Sequence, residues 1–156
     1  MLTHRLVTPA VALALALCGA TADATDTAPA PKADTLVAAR TLIQQKKWAA
    51  AVDELKRVNE TASADWNNLM GYGLRQGTPP DHAGAERFYD TALRIDPRHR
   101  GALEYSGELY LVTGDLPKAE QRLAALDKAC VLPCEEYTDL KKSVARFMAN
   151  GNKYVP

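Results

Sequence analysis

Apolar residues recur at intervals of three and four along most of the chain, the spacing that stacks side chains on one face of an α-helix. The clearest run is 101–126. Leu103, Gly107, Tyr110 and Leu111 share one face of its first half, and Leu116, Ala119, Leu123 and Leu126 share one face of its second. Gly114-Asp115 breaks the run between them. The small residues Gly107 and Ala119 are expected where two antiparallel helices come closest.

The same pattern predicts four helices upstream. The first runs from Thr35 to about Gln45, with Asp34 as N-cap and Leu36, Ala39, Leu42 and Ile43 as its stripe. The second runs from about Lys47 to Asn59 and carries Trp48, Ala51, Leu55 and Val58 on one face. The third spans about Asp65 to Arg75, with Trp66, Leu69, Met70 and Leu74 inward, and is broken by Gly77-Thr78-Pro79-Pro80. The fourth begins at Pro80 or Asp81 and ends at Ile95, since Asp96 precedes Pro97 and so avoids the helical region. Downstream, a seventh helix runs from about Glu135 to Ala149 with Tyr137, Leu140, Val144 and Phe147 inward, and Gly151 is its C-terminal stop.

Ala51, Ala85 and Ala119 are spaced 34 and 34 residues apart. Leu55, Tyr89 and Leu123 repeat the interval, as do Val58, Ala92 and Leu126. With Gly107, Tyr110, the Gly114-Asp115 turn and Ala119, these columns resemble the tetratricopeptide repeat, a helix-turn-helix unit of 34 residues. The resemblance implies an all-α fold, an α-solenoid of about three helical hairpins over 35–64, 65–99 and 100–132, closed by a cap helix at 135–150. The first helices agree between units one and three, Ala39 matching Gly107 and Leu42 matching Tyr110. Unit two fits if Thr78-Pro79-Pro80 is a three-residue insertion in its turn, which puts Trp66, Leu69 and Met70 at the packing positions. Pro97 matches the family's closing proline, which units one and three lack.

The chain begins differently. Arg5, the apolar run Leu6 to Leu17 and the small-x-small triplet Ala22-Asp23-Ala24 predict a secretory signal over 1–24. That run is too short to span a bilayer as a mature helix. A competing reading is a lipid anchor, because Leu15-Ala16-Leu17-Cys18 resembles a bacterial lipobox, although Leu17 stands where a small residue is usual. Residues 25–34, with Pro29 and Pro31, read as a flexible linker before the repeat domain at 35–150. A periplasmic or secreted location follows from this reading.

Charge narrows the function. Lysine plus arginine and aspartate plus glutamate number 19 each in the 156 residues, so no net field favours nucleic acid or an anionic membrane. Cys130 and Cys134 form a C-x3-C pair, which in an exported chain reads first as a disulfide. Closing so short a loop contributes about 2 kcal/mol on the loop-entropy formula. Two alternatives stay open: copper(I) on two thiolates, and a reactive Cys134 activated at a helix N-terminus. His82, His99 and the Arg98-His99-Arg100 cluster read as solvated turn residues, and Glu135-Glu136 as a first-turn pair favoured by the helix dipole. Trp48, Trp66 and the tyrosines read as core, Tyr105 being the expected exception. The chain contains no phosphate-cradling glycine loop, nucleophile elbow or metalloprotease helix motif, so neither catalysis nor a resident cofactor or metal is expected.

The resemblance implies a concave groove lined by the first helix of each unit. Carried over by register, its positions are Leu36, Arg40 and Ile43, then Asn67, Gly71 and Leu74, then Glu104, Glu108 and Leu111. Asn68 could serve in a carboxylate clamp of the family's type, but Leu36, Gly101 and Tyr105 stand where its other members belong, and no such clamp is expected. The function implied is an exported adaptor or scaffold that binds a peptide or protein partner in the groove. Its alternatives are an envelope assembly factor using the convex face, and a copper carrier using Cys130 and Cys134.

Overall fold

Seven α-helices and no strand make up the residues that the computed structural model describes, 34–154. They are α1 (Val37–Gln44), α2 (Trp48–Val58), α3 (Ala64–Gln76), α4 (His82–Ile95), α5 (Arg100–Val112), α6 (Leu116–Ala129) and α7 (Glu135–Ala149). The expected signal over 1–24, with Cys18 and the cleavage triplet, lies outside the described residues, as does the linker up to residue 33. No helix among the described residues is long and apolar enough to cross a membrane.

Turn chemistry sets most of the boundaries. Ser63, Asp81, His99 and Asp115 each accept a hydrogen bond from a first-turn backbone N–H of the helix that follows, at 3.2, 2.7, 3.1 and 3.1 Å. Gly114, at φ +82°, turns the chain between α5 and α6, a left-handed conformation that glycine adopts without steric cost. The first helix starts two residues later than the expected Thr35. Asp34 takes the Leu36 N–H at 3.0 Å, and residues 35–36 are spent in that turn.

Each helix packs on its sequence neighbours, and the odd-numbered helices also touch one another in order: α1 on α3, α3 on α5, α5 on α7. This arrangement of short antiparallel hairpins is consistent with an α-solenoid, in which each unit contacts only the next. The 34-residue columns are structural. Helices α2, α4 and α6 begin at residues 48, 82 and 116, and Ala51, Ala85 and Ala119 are fully buried at the same turn of each. Ion pairs tie α4 to α6, Glu86 to Lys118 at 3.3 Å and Asp90 to Arg122 at 2.9 Å.

Three apolar clusters follow one another along the stack. Leu36, Ala39, Val52, Leu55, Trp66 and Met70 form the first. Ala85, Tyr89, Ala92, Ala102 and Leu109 form the second. The third joins α5 and α6 to the cap through Leu103, Leu111, Leu126, Leu140, Val144 and Phe147. Neither hairpin face is complete alone, so burial of these groups couples each unit to its neighbour.

Two packing expectations need correction. Gly107 does not mark the close approach of α5 to α6: a Cβ there would lie 2.5 Å from Leu140 Cδ2, so the glycine admits the cap helix instead. The turn of the second hairpin is longer by two residues, not three. Helices α3 and α4 begin at 64 and 82, whereas α5 and α6 begin at 100 and 116. The corrected register aligns Gly71, rather than Met70, with Gly107, and Gly71 lies under the ring of Tyr89 with no room for a Cβ.

Candidate functional site

The face built from α3, α5 and α7 carries the polar and aromatic groups that the core does not absorb. The two-residue register places Asn68, Tyr72 and Arg75 on this side, one position along from the expected Asn67, Gly71 and Leu74; Asn68 and Arg75 are buried and Tyr72 is half-exposed. Asn67 is buried and spends its Nδ2 on the Thr61 and Ser63 carbonyls, at 2.8 Å each, fixing the start of α3. Leu74 is half-buried, packed against the first two core clusters. Leu36 and Leu111 are also enclosed in core. Leu36, Asn67, Gly71 and Leu111 are therefore packing residues in this structure and offer no surface to a partner. Arg40, Ile43, Glu104 and Glu108 remain half-exposed.

At the centre of the face, Tyr72 of α3 and Tyr105 of α5 lie with ring centroids 4.5 Å apart. Trp48 continues the aromatic line, its ring edge-on to Tyr72 at 5.8 Å. Arg75 sits over both tyrosines, 5.5 and 5.7 Å from their centroids, and its Nη2 donates to Glu108 Oε2 at 2.8 Å. Its side chain is only 5% exposed, and its Nε has no hydrogen-bond partner. Burial raises the Tyr72 hydroxyl above its ordinary range and pushes Tyr105 up to about 12, where the nearby Glu104 adds to the effect. Both phenols are thus neutral and available as donors at ordinary pH.

Beyond this strip, a cleft of about 560 Å³ opens between α5 and α7, lined by Glu104, Glu108, Asp139, Lys142, Ser143 and Arg146 among others. Burial, followed by the carboxylates of Glu108, Glu136 and Asp139, raises Glu104 from 4.5 to about 8. At the other end of the face Arg40 bridges Asp34 and Asp65.

Of the residues read as solvated turns, Arg98, His99 and Arg100 are engaged. His99 accepts the Ala102 N–H on Nδ1 and reaches Asp65 Oδ1 from Nε2 at 2.9 Å, so it caps α5 and ties it to α3. The cap needs a bare Nδ1, which puts the proton on Nε2, facing the carboxylate. Arg98 donates to the Ala129 carbonyl at 3.1 Å, closing the end of α6, and Arg100 pairs with Glu136 at 3.5 Å. Sequence spacing could not show the contacts of His99 with Asp65, Arg98 with Ala129 and Arg100 with Glu136, because each joins residues about 30 or more apart. Tyr105 is half-buried on the polar face, outside the fully buried core, as expected, but Trp48 and Tyr72, read as core, lie there with it. Cys130 and Cys134 are joined as a disulfide, which leaves neither thiolate free for copper or for nucleophilic chemistry in this state. Among the described residues no three histidine, cysteine or acidic side chains converge as a metal site would require.

Comparison with known proteins adds a distant likeness. The chain is similar to the BBSome complex member BBS4 of Bos taurus, at 30% identity over 108 residues, which is 66% of this chain and 20% of that one. It is also similar to BBSome complex member BBS4 of Mus musculus, at 35% identity over 68 residues, 44% of this chain and 12% of that one. The chain therefore spans only a fifth or less of the length of these curated relatives. No family model and no solved structure matches it.

Proposed function

We propose that this protein is an exported tetratricopeptide-repeat adaptor, which binds a peptide or protein partner along the face of α3, α5 and α7 and has no catalytic role of its own. The observation that carries the reading is the Tyr72–Tyr105–Arg75–Glu108 strip. Half-exposed aromatic rings and a largely buried ion pair lie on neighbouring helices, next to an open cleft. Surfaces with rigid aromatic anchors and satisfied polar groups are what peptide grooves and interface centres share. The similarity to a member of a protein complex supports a partner of the protein class. A periplasmic or secreted location rests on the apolar run and small-x-small triplet of residues 1–24, and a disulfide suits an oxidising compartment.

An assembly factor that works through the even-helix face is the competing reading. Paired variants separate the two. Crosslinking in the envelope fraction with Tyr72→Ala/Tyr105→Ala should lose the partner, while Arg87→Glu/Glu120→Lys, on exposed positions of α4 and α6, should retain it. The opposite pattern would transfer the function to the even-helix face. Both residues of each pair are on the surface or half-exposed, so circular dichroism should show intact helices.

A further inference from the structure

We propose that the Cys130–Cys134 disulfide is a thiol-exchange site, reduced by a dithiol protein that docks on Val131 and Leu132 and attacks the sulfur of Cys130. The loop between α6 and α7 that carries it is outside the groove, and its chemistry holds whether or not a peptide binds there. Both cysteines are half-exposed. They border one cleft of about 540 Å³, together with Arg100, Glu135 and Glu136. Cys130 also borders a second cleft, of about 300 Å³, with Asp127 and Tyr137, and Cys134 does not. Exchange needs a thiolate to approach one sulfur from the side away from the other. The second cleft offers that approach to Cys130 alone.

The second observation is the loop tip. Val131 and Leu132, at 91% and 78%, are the most exposed large apolar side chains among the described residues. They lie between the two cysteines in sequence, on a loop closed by the bond, so a protein that covers them brings its own thiolate next to the disulfide. The ends of the helices set the direction of attack. Cys130 is the C-cap of α6, where the dipole disfavours a thiolate, whereas Cys134 is the N-cap of α7, where the dipole favours one. The Cys134 side chain accepts no first-turn N–H while it is bonded to Cys130, so those donors stay available to the thiolate. Glu135 and Glu136 oppose this in part, but Glu136 is paired with Arg100 at 3.5 Å. Cys134 is therefore the better leaving group. The partner thiolate bonds to Cys130 Sγ, the Cys130–Cys134 bond breaks, and Cys134 departs as thiolate. The partner's second thiolate then attacks the partner sulfur of that mixed disulfide and releases Cys130. Two electrons and two protons pass from the partner's dithiol, which becomes a disulfide, to the Cys130–Cys134 pair, which becomes two thiols.

The probes are glutathione and a reduced thioredoxin whose second cysteine is replaced by serine, each added to the folded, oxidised protein. After an acid quench, peptide mapping should place the thioredoxin adduct on Cys130 at least about fivefold more often than on Cys134, with the Cys134 thiol free. Val131→Ser/Leu132→Ser should slow the thioredoxin reaction by about tenfold and leave the glutathione rate unchanged, since a small thiol needs no apolar dock. Both side chains are exposed, so the variant should keep its helices by circular dichroism. Attack chiefly at Cys134, or reduction that begins only once urea unfolds the chain, would overturn the proposal. A thioredoxin rate unchanged in the serine variant would overturn the docking role of the loop tip, and with it a protein as the reductant.

Discussion

Arg75 on α3 and Glu108 on α5 form an ion pair at 2.8 Å across two neighbouring helices of one layer, with side chains 5% and 23% exposed. The pair has little water to screen it, and its members come from different helical units. It therefore reports on how the units dock. Glu108→Ala leaves the Arg75 guanidinium buried without its carboxylate and should destabilise the fold by about 3 kcal/mol. The double variant Arg75→Met/Glu108→Leu should recover most of that loss, because it buries no charge. Urea unfolding of Arg75→Met, Glu108→Leu and the double variant checks this. Strictly additive losses would show that the residues do not act as a pair.

The cap helix depends on a missing side chain. Leu140 fills the space over Gly107, where a Cβ would approach Cδ2 and Cδ1 at 2.5 and 2.8 Å. Gly107→Ala should cost about 1–3 kcal/mol through overpacking, after its favourable helix propensity is counted. Adding Leu140→Ala should make the alanine at 107 close to neutral. Thermal melts of the single and double variants provide the test, and a stabilised Gly107→Ala protein would mean that α7 can shift aside at no cost.

Glu104 makes stability depend on pH in a direction opposite to that of most carboxylates. Its folded value, about 8, lies above the ordinary 4.5, so the folded state holds a proton that the unfolded state has already released. The contribution is fully present below 4.5 and is lost as pH rises toward about 8. The urea midpoint should fall across this window. In Glu104→Gln the decline should be shallower, since that side chain does not titrate. An equally steep decline in the variant would assign the effect to another group.

His99 joins a helix cap to a contact between helices. Its Nδ1 accepts the Ala102 N–H at 3.1 Å, and its Nε2 faces Asp65 at 2.9 Å. His99→Ala should lower stability by about 1–2 kcal/mol, the usual loss for a removed cap. His99→Asn should retain the cap and recover part of the loss. Faster amide exchange at the first turn of α5 in the alanine variant alone would show that the cap is the cause.

The disulfide bounds how α7 leaves α6. Cys130→Ser/Cys134→Ser should reduce stability by about 2 kcal/mol, as a five-residue loop gains freedom in the unfolded chain. Hydrogen exchange should quicken in α7 before α1 to α4, because the cap is the element the bond tethers. Uniform quickening along the whole stack would argue against a local role.

Local patterning alone determined the helices and their pairing. Glycine, proline and capping residues mark the breaks, and the three-and-four spacing marks the faces, so Gly114, Asp96-Pro97 and the columns at Ala51, Ala85 and Ala119 were legible without coordinates. These signals act within a turn or two of chain, and one sequence carries them fully. Register between units is a different quantity. A two-residue change in one loop rotates a helix relative to its neighbours, and it moved the groove-side positions of α3 from Asn67, Gly71 and Leu74 to Asn68, Tyr72 and Arg75, of which Tyr72 alone is half-exposed. The match of Gly71 to Gly107, at the same interval as the starts of α3 and α5, was the signal in the chain that could have shown it. Burial of Leu36 and Leu111, the contacts of His99 with Asp65 and of Arg98 with Ala129, and the raised Glu104 carboxyl depend on groups brought together from distant positions. Only the packed tertiary structure decides those, because close-packed neighbours, not sequence spacing, settle which side of a helix remains open.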